Sequence, residues 1–198
     1  MLGLQNLNNL QTIVQNKKGK YLVTDTYQGH EEGVVVTSLI HPLKKKGYLP
    51  RFGKCYHLSS TFDDVKYIGR SGESYVDMKD QFIVKENVKK VIEMTEPNIR
   101  PQESGNRTDV TSASIISPHH KISFIALNSP FELSVKPYSD RSLIKMKHIG
   151  DEIRSGTYVT IEAFQQGIGT GACGPVTADK YKYPNDRDYI LKFLIKVL

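Results

Sequence analysis

The densest collection of groups that could do chemistry lies between residues 97 and 110, Pro-Asn-Ile-Arg-Pro-Gln-Glu-Ser-Gly-Asn-Arg-Thr-Asp-Val. Glu103 and Asp109 supply carboxylates, Arg100 and Arg107 guanidiniums, and Asn98, Gln102 and Asn106 amides. Paired carboxyl groups are what glycoside hydrolysis needs, one as acid and the other as nucleophile or base. The same residues suit a different arrangement, in which Glu103 and Asp109 pair with Arg100 and Arg107 and hold a loop together. Such pairing lowers carboxyl pKa values and works against proton donation. We therefore expect Arg100, Gln102, Glu103, Asn106, Arg107 and Asp109 to form a structural network, and assign no catalytic residue. Pro101 and Gly105 exclude a regular helix or a central strand here, so the segment is expected to be a long polar loop running to Asp109.

A second candidate is Gly167-Ile168-Gly169-Thr170-Gly171-Ala172-Cys173-Gly174-Pro175. Its glycines alternate instead of following the dinucleotide-binding pattern, and no βαβ context surrounds it, so a nucleotide site is not expected. His119 and His120 stand together beside Pro118, but no third ligand lies at metal-site spacing, and no metal or cofactor is expected in this chain. Cys55 and Cys173 are the only cysteines. They are too few for a disulfide scaffold; one disulfide between them and two separate thiols are both compatible with the sequence.

At 198 residues the chain is expected to be a single domain spanning 1–198. Its apolar fraction of 38% and charged fraction of 24% are ordinary for a globular chain. The net charge is +6, but apart from Lys44-Lys45-Lys46 the basic residues are scattered, which argues against nucleic-acid binding. No apolar run is long enough to span a membrane, and the N-terminus lacks a signal-peptide pattern. The compartment expected is cytoplasmic or periplasmic.

The positions of these candidates depend on strands. Residues 13–14, 20–27, 34–40, 48–58, 65–68, 82–94, 110–116, 122–127, 131–138, 158–164 and 189–198 read as strands, separated by turn-forming stretches rich in Gly, Pro, Asn and Asp. Residues 1–12 read as a short helix or a ragged end, and 16–19 as a hairpin turn. Asp140–His148 is the best helix candidate, with Ser139 or Asp140 as its cap. Many short strands with turns between them indicate an all-β chain, an antiparallel β-sandwich.

Four segments also carry a resemblance. Arg100 to Val110 resembles the signature of the C-terminal domain, or separate small subunit, of family-two β-galactosidases. Ile161-Glu162-Ala163-Phe164-Gln165-Gln166-Gly167-Ile168-Gly169, continuing through Cys173-Gly174-Pro175, is a second match. Lys66-Tyr67-Ile68-Gly69-Arg70, followed by Glu73, Tyr75 and Asp77, is a third, and Leu49-Pro50-Arg51-Phe52-Gly53 a fourth. They fall in the family's order, from about residue 20 to the end. The resemblance implies a large sandwich of the galactose-mutarotase type, or supersandwich, of which this chain is the C-terminal part. It implies partners, namely a TIM-barrel catalytic domain or large subunit that carries the catalytic glutamates, and a galactoside substrate in the assembled enzyme. It also implies that the loop with Gly171, Ala172 and Cys173 reaches the sugar. Some relatives have a tryptophan near Cys173, and this chain has none. Ser71-Gly72, Met78, Asn98 and Gly171-Ala172 also depart from the family's usual residues, which bears on sugar contacts more than on fold. His148 lies in a segment that matches the family and is expected to be partly buried.

The function expected from these observations is a noncatalytic domain that completes the sugar pocket of a β-galactosidase. Two alternatives are an independent aldose epimerase, which needs a histidine acid and a glutamate base at one open site, and a freestanding carbohydrate-binding module. If the sandwich lacks strands, its open edges favour homo-oligomerisation.

Overall fold

The structure is a computed structural model that describes residues 10–15, 21–43, 46–151, 153–166 and 176–198, without the side chains of 10–15 and 149. Among these residues the strands are β1 (Leu10–Gln15), β2 (Tyr21–His30), β3 (Gly33–Pro42), β4 (Tyr48–Leu49), β5 (Arg51–Leu58), β6 (Asp64–Arg70) and β7 (Val84–Lys90). They continue with β8 (Arg107–Val110), β9 (Ser112–Ile116), β10 (Lys121–Ala126), β11 (Phe131–Lys136), β12 (Thr157–Gln165), β13 (Tyr183–Pro184) and β14 (Tyr189–Val197). One sheet has eight strands in the order β1-β2-β3-β14-β10-β9-β6-β7, a second has four in the order β5-β12-β11-β8, and β13 pairs with β4. Every strand pairing is antiparallel.

Period-two alternation builds the core. Phe131, Leu133 and Val135 of β11, and Val159 and Ile161 of β12, point inward from the small sheet. Val36, Val65, Tyr67, Ala113, Ile115, Phe124, Leu191 and Phe193 meet them from the large one. Phe193 lies edge-on to Phe131 across the two sheets, with ring centroids 6.5 Å apart. Burying each such side chain stabilises the fold by about 1.5–3 kcal/mol. The two sheets with this shared core form the expected all-β antiparallel sandwich.

Three expectations need correction. The polar loop does not run to Asp109: Arg107–Val110 is strand β8, which pairs with β11. Val91–Met94 is a 3-10 turn and not the end of a strand, because that geometry lets Val91 and Met94, three residues apart, enter the core together. The helix is only α1 (Asp140–Leu143), capped by Ser139, whose hydroxyl accepts from Ser142 N–H at 3.1 Å. Beyond it, i→i+3 bonds from Lys145 to Ser142 and from Met146 to Leu143 tighten the chain, and Leu143 and Met146 pack on Tyr138. One turn is enough to bury that pair. The expected turn at 16–19 and most of the expected N-terminal helix lie outside the described residues; Leu10–Gln15 is strand.

Candidate functional site

The outward face of the four-stranded sheet is polar, yet most of it is buried beneath two segments, 96–106 and 137–151, the second of which contains α1. A β-bulge shapes it. β12 pairs with β5 in register as far as Glu162 opposite Gly53, then shifts so that Phe164 faces Phe52 and Gln165 faces Arg51. The extra residue resets the alternation. Phe164 joins the core, while Glu162 and Gln165 share the outer face with Arg51. Gly53 is required at this point: a Cβ there would lie 2.3 Å from the Ile161 carbonyl oxygen.

Arg51 joins three elements. Its Nε donates to Glu162 Oε1 at 2.5 Å and its Nη2 to Glu162 Oε2 at 3.0 Å. Its Nη1 lies 2.7 Å from Oε1 and 2.9 Å from Oε2 of Glu103, in the loop above. Gln165 Nε2 donates to Glu103 Oε1 at 3.1 Å. Lys136, buried on β11, lies 3.9 Å from Glu103 and pairs with Asp140 at the start of α1. Burial opposes the charge on Arg51, but Glu162 and Glu103 outweigh it and hold its pKa above the ordinary value. Burial likewise pushes the Glu162 carboxyl up, with Arg51 opposing.

Glu132 stands directly opposite Glu162 across the β11–β12 pair. Asn106 Nδ2 donates to its Oε2 at 2.6 Å and also to the Ser74 carbonyl at 2.9 Å. Burial pushes the Glu132 carboxyl up to about 8, against the hydrogen bonds from Asn106 and the Gln165 backbone. At neutral pH Glu132 is therefore mostly protonated, while Arg51 lies against both Glu103 and Glu162.

A second ionic cluster lies at the other end of the loop. Asp109, at φ 56°, accepts from Arg70 Nε at 2.7 Å and from Lys79 Nζ at 2.8 Å. Burial works against this carboxylate, but Lys79 and Arg70 hold its pKa below the usual range. Between the clusters, Glu73 Oε1 accepts from the Tyr75 hydroxyl at 2.9 Å and from the Gly105 N–H at 2.7 Å. Ser74 accepts at Oγ from Thr108 N–H at 3.0 Å. The 73–75 stretch thus clamps residues 105–108.

The predicted residues therefore divide. Glu103 and Asn106 enter the Arg51–Glu132 network, and Asp109 enters a separate one. Arg107 is fully buried; its Nε donates to the Tyr67 hydroxyl at 3.2 Å and its Nη1 to the Asn106 carbonyl at 3.1 Å. It pairs with no carboxylate among the described residues. Arg100 and Gln102 are exposed and line a groove with Glu103 and α1. Gly171, Ala172 and Cys173 lie outside the described residues. Cys55 is a free, exposed thiol. His148 is exposed and not partly buried; its backbone N–H donates to Asp151 Oδ2 at 3.0 Å. Among the described residues no group of three His, Cys, Asp or Glu side chains could hold a metal ion.

Sequence reasoning missed Glu132 and Lys136, and left Arg51, Glu162 and Gln165 in motifs without roles. Residues 131–138 read only as a strand; the alternation in Phe131-Glu132-Leu133-Ser134-Val135-Lys136 is the signal that could have placed Glu132 and Lys136 on the face away from the core. Chemically, the arrangement locks a loop. Glu103, Glu162 and Asp109 are engaged by cationic side chains, and Glu132 is enclosed.

The sequence matches the family described as "Beta galactosidase small chain" over residues 5–195. It is 31% identical over 154 residues to a β-galactosidase of Staphylococcus xylosus, covering 77% of this chain and 15% of that protein. It is 27% identical over 195 residues to a β-galactosidase of Priestia megaterium, covering 96% of this chain and 18% of the relative. The chain thus spans less than one fifth of the length of these curated relatives. Among solved structures it is similar to a galactose mutarotase-like protein from Lactobacillus casei, with a TM-score of 0.47, 13% identity, and coverage of 96% of this chain and 69% of that one. A likeness of that size carries no weight for function. The match over nearly the whole length, together with the motif residues that the fold gathers around Arg51 and Arg70, shows that this chain belongs to the β-galactosidase small chain family.

Proposed function

We propose that residues 1–198 form one noncatalytic sandwich domain of a glycoside hydrolase family 2 β-galactosidase, corresponding to the C-terminal part of the small-chain domain. Its role is to complete and shield the sugar pocket of a catalytic barrel carried by another domain or subunit. In this reading Gly171, Ala172 and Cys173 approach the galactoside, and the buried polar network holds the 96–106 loop in a fixed shape. The observation that carries it is the Arg51 clamp on Glu103 and Glu162. Glycoside hydrolysis needs a protonated carboxyl and a free carboxylate on either side of an open sugar site. Here the free carboxylates are tied to Arg51, Arg70 and Lys79, and the protonated Glu132 is buried under Asn106.

The test is hydrolysis of a chromogenic β-galactoside by the purified chain, alone and mixed with the Staphylococcus xylosus β-galactosidase polypeptide lacking the matched region. Activity is expected only in the mixture. Turnover by the chain alone would place the chemistry on these carboxylates and end the proposal.

A further inference from the structure

The three most exposed large apolar side chains belong to, or closely follow in sequence, the two segments that cover the polar face. Ile99 is 89% exposed, Ile144 82% and Ile153 74%. Ile144 lines a groove of about 360 Å³ with Arg100, Pro101, Gln102, Leu143 and Met146. A second groove, of about 370 Å³, holds Ile153 and Lys145 and shares Met146 with the first. Ile99 adjoins Arg100 at the rim. The two grooves share Met146 and flank the turn after α1, with Ile144 in the first and Ile153 in the second. Exposed isoleucines set at grooves are what an interaction surface presents.

Two further observations indicate what covers it. The Arg100 and Gln102 side chains have no hydrogen-bond or ionic partner among the described residues, although their neighbour Glu103 is fully engaged. A cation held at the rim by an anchored loop calls for a carboxylate on the opposing surface. The relatives, moreover, consist mostly of polypeptide outside the matched region, more than four fifths of their length. We infer that the Ile99–Ile144–Ile153 surface is where this domain docks on the catalytic polypeptide of its own β-galactosidase, with Arg100 opposite a carboxylate of that polypeptide. This rests on the function proposed above. The docking loop is preorganised: Glu103 is tied to β5 and β12, and the Gly105 N–H to Glu73, before any partner arrives.

The experiment titrates the chain into the same Staphylococcus xylosus polypeptide and reads the concentration that restores half-maximal hydrolysis. Ile144→Asp combined with Ile99→Asp is expected to raise that concentration about tenfold or more, as substitution of apolar interface anchors does. Arg100→Glu should raise it in a salt-dependent way. Val88→Asp, on the exposed edge strand β7 at the far end of the large sheet, is the control and should leave it unchanged. Circular dichroism and thermal melts matching the wild type exclude misfolding, since these side chains are on the surface. If the isoleucine variants titrate like the wild type, or if only Val88→Asp weakens complementation, the assigned surface is wrong. If the wild-type chain itself restores nothing, the galactosidase reading fails first and the docking inference falls with it.

Discussion

Arg70 Nε donates to Asp109 Oδ2 at 2.7 Å, joining two motif segments that lie 39 residues apart in the chain. The contact sits where β8 bulges against β11: Phe131 pairs with Val110 and Leu133 with Arg107, so Thr108 and Asp109 both oppose Glu132. Asp109 takes up the bulge with a left-handed backbone, which Asp and Asn tolerate better than most residues.

Asp109→Ala should therefore lose more stability than Asp109→Asn. Alanine gives up both the Arg70 and Lys79 contacts and pays the left-handed penalty, for a difference of about 1–2 kcal/mol. Paired urea melts check the order. Because the Asp109 pKa is depressed, its ionic contribution is present above the unfolded carboxyl pKa and is lost as pH falls through the lower native value.

Glu132 should show the opposite sign. Its native carboxyl titrates at about 8, above its ordinary 4.5, so the folded chain binds more protons than the unfolded chain between those values. Stability contributed by the neutral carboxyl is complete below pH 4.5 and is lost as pH rises through 8. Glu132→Gln retains an acceptor for Asn106 and carries no proton to lose. Its stability relative to wild type should rise by roughly 3–5 kcal/mol between the two limits. A flat difference in denaturant melts from pH 5 to 9 would contradict this assignment.

Removing the Arg51 head group leaves Glu103 and Glu162 without their shared guanidinium. Arg51→Met should cost roughly 3–5 kcal/mol at neutral pH, as breaking a buried ion pair does. The loss should shrink in acid, where the freed carboxylates take up protons. Arg51→Lys keeps a charge but not the bidentate geometry and should fall between the two. Guanidinium melts at two pH values separate these outcomes.

Gly105 has φ 82°, and a Cβ there would stand 1.9 Å from the Met94 carbonyl oxygen. Gly105→Ala should cost roughly 2–4 kcal/mol through that collision and the left-handed strain. Since Gly105 N–H also anchors Glu73, faster amide exchange should extend across residues 73–75 and 104–108 before the core strands are affected.

Much of this was legible from the chain alone. Many short strand-forming runs separated by turn-forming stretches identified the sandwich, because strand and turn preferences are local properties of the chain. The polar, proline-interrupted stretch from 97 to Asp109 marked the anchored loop, since almost nothing in it suits an apolar core, although its last residues form β8. The partners of that loop could not be read in the same way. Glu103 and Asp109 are six residues apart, and local reasoning joined them to the nearby Arg100 and Arg107; their cations are Arg51, Arg70 and Lys79. Which charges meet depends on strand register and on bulges at Ala163 and Thr108–Asp109, each of which moves side chains between faces by inserting one residue. Glu132 and Lys136 lie in a segment that the sequence marked only as strand, and the covering segments made their face an interior. Sequence determined the strands and the family; tertiary structure decided the pairings and the burial, because both are properties of distant segments brought together.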